Sequence, residues 1–330
     1  MRSLAKLKFF LVVIAIFTCL PFLARAQSDT YPNKPVKLII TWPVGGFADT
    51  LGRAIAIQMS TILGQQVVVE NRGGANGMIG ADLVAKSLPD GYTLMLQSVT
   101  SHAINPSMYG KTPYSTEKDI VPIAIVGSVP MLLVANTNFP PKSISELISL
   151  AKKDPDGIAY ASFGNGSASH LAGALFTNQA GIKMAHIPYK GGAPAITDTI
   201  GGQIPLSFSA FGLALAHIKA GKLVALGTTG SSRAKLLPDV PTIAEAGNLK
   251  DYEMSIVYAL WAPTGVPVPI LNKLSKAIEQ VTSSNTFKEK LLADGGEVIN
   301  ITTTRESQIY FQKEMQRLSK IVKDANIKAD

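Results

Sequence analysis

The chain has 330 residues, 46% hydrophobic and 16% charged, with 31 Lys+Arg against 23 Asp+Glu for a net charge of +8. Arg2, Lys6, Lys8 and Arg25 lie in the leading segment with no acid beside them, so without it the balance is 27 to 23, or +4. That balance speaks against a nucleic-acid or membrane-surface binder, and the remaining length suits two ordinary domains.

Met1 to Ala26 has the form of a targeting segment. Its start is basic, Phe9 to Leu20 is an apolar run too short for a comfortable membrane span, and Ala24-Arg25-Ala26 is a small-x-small cleavage site. A mature chain starting at Gln27 is expected. Cys19, the single cysteine, leaves with the leader, which takes away any disulfide, thiol nucleophile or cysteine metal ligand. No later run is long and apolar enough to span a bilayer.

Val36 to Ile40 predicts a buried strand, stopped by Trp42-Pro43. Gly45-Gly46 predicts a tight turn, and Ala48, Leu51, Ala54, Ile55 and Ile57 a buried helix face capped by Asp49 or Thr50. Strand, glycine turn and helix N-terminus together form a ready anion site. Gln66 to Glu70 and Tyr92 to Gln97 predict further strands. Between them come the glycine-rich turn 71–77 and a helix over Ile79 to Ser87. Ser98 to Ser101 reads as a polar loop, and Ile120 to Val126 and Met131 to Ala135 as two separate strands. The βαβαβ order predicts a mostly parallel sheet covered by helices.

A second α/β unit opens near Pro140. Ser143 and Glu146 form a capping-box pattern before a helix over Ile144 to Lys152. Ile158 to Ser162 predicts a strand, 163–169 a small-residue loop, and His170 to Ala180 a helix. Met184 to Pro188, the turn Tyr189-Lys190-Gly191-Gly192 and a helix over Ala193 to Gly201 follow. Strands are expected at Pro205 to Ser209 and Leu223 to Gly227, around a helix over Leu213 to Ala220. Glu253 to Trp261 is extended, and three helices close the chain: Ile270 to Val281, Thr286 to Asp294, and a long one from Thr303. The last carries Ile309, Tyr310, Met315, Leu318, Ile321 and Val322 and reads as a packing brace.

No catalytic set is expected. The four histidines lack metal-ligand spacing. Ser167 and Ser169 beside His170 lack the Gly-x-Ser-x-Gly elbow. The glycine turns match neither the dinucleotide fingerprint nor a Walker loop. What the sequence does offer is two helix N-termini, after 45–50 and after 164–169, each in its own α/β unit. Facing each other across a cleft, they suit a carboxylate held without arginine.

Nine stretches, in order, carry a resemblance. They are Trp42-Pro43-Val44-Gly45-Gly46-Phe47-Ala48-Asp49, Val68-Val69-Glu70-Asn71-Arg72, Gly77-Met78-Ile79-Gly80-Ala81, Pro89-Asp90-Gly91-Tyr92-Thr93-Leu94 and His102-Ala103-Ile104-Asn105-Pro106. Gly164-Asn165-Gly166-Ser167, His170-Leu171-Ala172-Gly173, Pro188-Tyr189-Lys190-Gly191 and Leu237-Pro238-Asp239-Val240-Pro241-Thr242 complete the set. Together they closely resemble the Bug family of periplasmic solute-binding proteins, the receptors of tripartite tricarboxylate transporters.

The resemblance implies an α/β Venus-flytrap fold of two domains, each a mostly parallel sheet flanked by helices. It implies two crossover strands, near Met131–Ala135 and Ser255–Leu260. Segment 1–26 is then a cleaved signal peptide, 27–130 and 256–330 form domain one, and 131–255 domain two. The function implied is that of a monomeric periplasmic receptor without cofactor, metal or nucleic acid. It binds a small carboxylate, partly through ordered waters, and delivers it to the transporter's membrane subunits. A ligand sensor for a signalling partner and a hydrolase using Ser167 and His170 are the alternatives. The expected ligand-binding residues are Trp42, Val44, Gly46, Phe47, Ala48, Asp49 and Ser98 from the first unit. Ser162, Phe163, Asn165, Gly166, Ser167, Tyr189 and Ser209 come from the second. No arginine or lysine is clearly placed in either loop.

Two residues depart from the family pattern. Phe47 stands where a small residue is usual, and Ser209 where many members have aspartate. The first offers an aromatic wall, with Trp42, Phe163 and Phe211 as neighbours. The second removes a partner for an amino-acid ammonium. An aromatic or otherwise apolar mono- or dicarboxylate is the expected ligand.

Overall fold

A computed structural model of the chain describes residues 31–155, 157–293, 295–324 and 327; the expected signal peptide lies outside them, as does Asp294, expected to end a helix. Three parallel strands open the molecule, with β1 (Val36–Ile40) between β2 (Val67–Asn71) and β3 (Thr93–Ser98). Alternation along β1 decides what covers each face. Val36, Leu38 and Ile40 pack with Leu51, Ile55 and Met59 of α1 (Phe47–Leu63), and Ile39 packs with Met78, Ala81 and Val84 of α2 (Met78–Ala85). Ile57, expected on the buried face of α1, is 70% exposed. At about 100° per residue it points nearly opposite to Ile55.

Ser98 to Ser101 is not a loop. Ser98 caps α3 (Val99–Tyr109), its hydroxyl accepting the Ser101 N–H at 3.3 Å. The Val-Thr-Ser-His start has weak intrinsic helix propensity, so burial against the rest of the fold decides the outcome. The two strands expected between 120 and 135 are one, β4 (Ile120–Asn136). Its internal Pro122 and Pro130 are tolerated because the ladder shifts register next to Pro122 and changes partners after Pro130.

The later elements are α4 (Ile144–Lys153), β5 (Ala159–Ser162), α5 (Ala168–Ala180), β6 (Ala185–Pro188), α6 (Gly192–Ile200) and β7 (Leu206–Ala210). They continue with α7 (Phe211–Lys219), β8 (Leu223–Thr228), the short α8 (Ile243–Gly247), β9 (Ser255–Pro263), α9 (Val268–Ser283), α10 (Asn285–Ala293) and α11 (Thr304–Asp324). Ser143 caps α4 as expected, but the Glu146 carboxylate accepts the N–H of Lys142, not of Ser143. A full reciprocal box forms instead between Thr242 and Glu245 at α8.

The strand order is β2-β1-β3-β9-β4-β7-β5-β6, with β8 also paired to β4. Pairs at the two ends are parallel, and those at the centre are antiparallel. Ile120 to Pro130 of β4 pair with β9, whereas Met131 to Asn136 pair with β7 and β8. One strand thus belongs to both halves of the molecule. Trp261 of β9 is fully buried between His102 of α3 and Phe311 of α11. α11 packs on α3, β4 and α5 through Phe311, Leu318 and Val322. Ile309, expected on that face, is 57% exposed. Among the described residues no helix is long and apolar enough to cross a membrane.

Candidate functional site

The first wall of the site is built by the turn from β1 to α1. Gly45 adopts φ 86°, a left-handed conformation suited to glycine, and Gly46 precedes the helix. Asp49 does not cap α1. It is buried beneath the turn, where its carboxylate accepts the Gly45 N–H at 3.0 Å, Arg53 Nε at 3.0 Å and Asn71 Nδ2 at 3.0 Å. Burial alone would raise its pKa, but the bonds from Arg53, Gly45 and Asn71 outweigh that and hold it below the usual carboxylate value. Asn71 Nδ2 also donates to the Trp42 carbonyl at 3.0 Å, so one acid and one amide set the loop's shape. As the opening residues of α1, Phe47 and Ala48 have N–H groups with no partner within the helix.

The second wall is the loop between β5 and α5. Ser167 caps α5, accepting the His170 N–H at 3.3 Å while donating to the Gly164 carbonyl at 2.7 Å. Ser169 Oγ accepts the Phe163 N–H at 2.8 Å, and His170 Nδ1 accepts the Gly166 N–H at 3.2 Å. The side chains that suggested a hydrolase therefore shape the loop. Beneath it the His170 and His186 rings stack at 3.6 Å, and His186 Nε2 lies 2.6 Å from Ser162 Oγ. Burial, then the neighbouring His170, pushes the His186 pKa down to about 3. The adjoining turn is tied to the end of β5 by two bonds, Tyr189 N–H to the Ser162 carbonyl and Gly191 N–H to the Phe163 carbonyl, both 3.1 Å.

These walls enclose a cavity of about 380 Å³. Of the expected residues, Trp42, Val44, Gly46, Phe47, Ala48, Phe163 and Ser167 line it. The other seven stand behind its walls or beside it. Asp49 holds the first loop, Ser98 caps α3, and Ser162 meets His186. Asn165 is half-buried in the second loop. Gly166 gives its carbonyl to Asn76, and the Tyr189 hydroxyl donates to Asp198 at 2.7 Å. Ser209 is fully buried in β7, opposite Leu132 of β4.

The sequence reading missed Lys190, Leu213, Ile256 and Tyr258, which also line the cavity. Lys190 lies in a turn legible as a helix entry. The other three reach the cleft only through tertiary packing. Phe47 lines the cavity and leans on Tyr258, with ring centroids 5.3 Å apart. Phe211, expected beside it, is fully buried against Gly295. Asn76 Nδ2, on a backbone with φ 51°, also meets the second loop, donating to the Gly166 carbonyl at 3.1 Å and to Asn105 Oδ1 at 2.9 Å.

Such a cleft presents two helix N-termini together with the rings of Trp42, Phe47, Phe163 and Tyr258. The profile of the tripartite tricarboxylate transporter family receptor matches residues 51–327. Protein BugT of Bordetella pertussis is 36% identical over 320 residues, 96% of this chain and 98% of its own. A protein from R. palustris, solved with adipate, superposes with a TM-score of 0.83 at 32% identity, covering 91% of this chain and 100% of that one. MatC from Rhodopseudomonas palustris, with bound malate, gives a TM-score of 0.79 at 30% identity, covering 88% and 100%. The chain therefore belongs to the Bug family of tripartite tricarboxylate transporter receptors, which are periplasmic solute-binding proteins.

Proposed function

We propose that this chain is exported with a cleaved leader over 1–26, takes a small carboxylate with an apolar body into the cleft, and delivers it to the membrane subunits of a tripartite tricarboxylate transporter. The observation that carries the reading is the pairing of two helix N-termini, at Gly46 and Ser167, across a cavity of about 380 Å³ walled by Trp42, Phe47, Phe163 and Tyr258. Unpaired N–H groups and the positive helix ends favour a carboxylate. The rings favour a body that gains nothing from water, whereas hydroxyls would lose water without gaining partners. The adipate and malate held by the two solved relatives support a carboxylate as the class of ligand.

In this reading the receptor is a monomer and assigns no residue to catalysis, cofactor or metal. Domain one comprises 27–130 and 256–330, domain two 131–255, and β4 and β9 are the hinge between them. A ligand that touches both domains shifts the balance toward the closed form. The test is calorimetric titration of the mature chain with benzoate, adipate and citrate, followed by small-angle scattering at saturation. Saturable binding of an apolar acid, weak or absent citrate binding and a smaller radius of gyration are expected. Tight citrate binding with no response to either other acid would overturn the apolar assignment, and an unchanged radius the closing motion.

A further inference from the structure

Four successive residues before α2 have positive φ: Gly74 at 124°, Ala75 at 47°, Asn76 at 51° and Gly77 at 86°. Glycine takes such angles freely, asparagine tolerates them and alanine adopts them at a cost. A left-handed turn of this length persists only where its surroundings fix it. Those surroundings belong to domain one of the two-domain reading. The Gly77 N–H closes the turn on the Gly74 carbonyl at 3.0 Å, and a Cβ on Gly77 would sit 2.2 Å from Gln97 Nε2 of β3. The Asn76 carbonyl accepts Asn105 Nδ2 of α3 at 3.4 Å and Gln97 Nε2 at 3.5 Å. Gln97 and Asn105 are both fully buried, so the turn rests on a fixed base.

The Asn76 amide has two N–H bonds to give. One goes to Asn105 Oδ1 at 2.9 Å and stays within that base. The other leaves it and donates at 3.1 Å to the carbonyl of Gly166, in the loop that precedes α5. Gly166 is buried, and a Cβ on it would come within 3.2 Å of Met108 Cε on α3. Neither Asn76 nor Gly166 lines the cavity. We infer that Asn76 is a latch between the domains. Domain one holds the amide in place by itself, so the bond to Gly166 forms with little ordering when the domains meet and is lost when they part. A bond that exists only in the closed form, and that the ligand does not touch, slows opening without choosing among ligands. This rests on the two-domain receptor reading and adds the residue that sets how long the closed form keeps its acid.

The test compares mature chains of wild type, Asn76→Gly and Asn76→Asp with adipate, hexanoate and benzoate. Asn76→Gly keeps the left-handed backbone and removes the amide. Asn76→Asp keeps the shape and sets a carboxylate against the Gly166 carbonyl and Asn105 Oδ1. Trp42, on the cavity wall, reports association and dissociation in stopped flow. Melting temperature checks folding, and small-angle scattering follows closure. Association should stay within about twofold of wild type. Dissociation should rise about two- to tenfold in Asn76→Gly, the loss of one neutral bond, and at least as much in Asn76→Asp. The factor should be the same, within about twofold, for each acid that binds. Dissociation unchanged in both variants, or raised for one acid and not another, overturns the latch and leaves the receptor and its closing motion standing. A wild-type radius of gyration unchanged at saturation overturns the closing motion, and the latch with it. Failure of wild type to bind any of the three acids overturns the carboxylate reading, and with it a latch defined by the acid it retains.

Discussion

Phe47 serves the fold and the site with one ring. It opens α1, leans on Tyr258 from β9, and forms part of the cavity wall. Truncating it removes apolar surface from the cavity wall and a ring contact with β9. Phe47→Ala should weaken an aromatic or aliphatic acid by about 1–3 kcal/mol, the range for loss of one buried ring face. Titration of both proteins with the same acid measures it, and an affinity unchanged within twofold would mean that the ring belongs to the core alone. Phe47 and Ser167 were legible because each lies within its own strand-turn-helix signature. Lys190 and Asn76 lie in turns that the sequence also marks, yet nothing local tells that one side chain faces the cleft and the other meets the second loop. Asp49 was misassigned for a related reason. A carboxylate near a helix start suggests a cap, whereas here it accepts from Gly45, before the helix begins.

At the scale of elements, two histidines, buried His102 on α3 and half-buried His186 on β6, tie stability to pH. His186 and His102 are both held down to about 3, chiefly by burial. The unfolded chain takes up these protons below about pH 6.5, and the native chain refuses them until near pH 3. Their contribution to stability is complete above about 6.5 and is lost as the pH falls from there toward 3. Each such group adds a slope of about 1.4 kcal/mol per pH unit within that window. The melting temperature should therefore fall steadily between pH 6.5 and 4, with a shallower fall in His186→Gln. A flat profile in wild type would contradict it. Element types were well read wherever apolar periodicity was strong, as in α1, β3 and α9. They failed at α3, whose first turn is Val-Thr-Ser-His, and at β4, where the prolines and Gly127-Ser128 look like a break. Both are cases in which distant partners, Trp261 and β9, outweigh local preference.

For the molecule as a whole, the central fact is that β3 and the first part of β4 find their partner in β9. Alternation of strands and helices gave the parallel ends of the sheet. The antiparallel centre was not expected, since the resemblance implied only two crossover strands and mostly parallel sheets; pairing between residues so distant in sequence leaves no local trace. The same pairing has a consequence for how the protein is made. A growing chain emerges from its N-terminus, and until Ser255–Pro263 has been synthesised β3 and β4 present bare edges with no Trp261 to fill the space beside His102. A fragment ending at 254 should accordingly lack a cooperative thermal transition by circular dichroism. A sharp transition would show that the first strands close without β9. Folding is thereby postponed until most of the chain exists, and a polypeptide kept slack for that long is in the form in which a secretion channel can thread it.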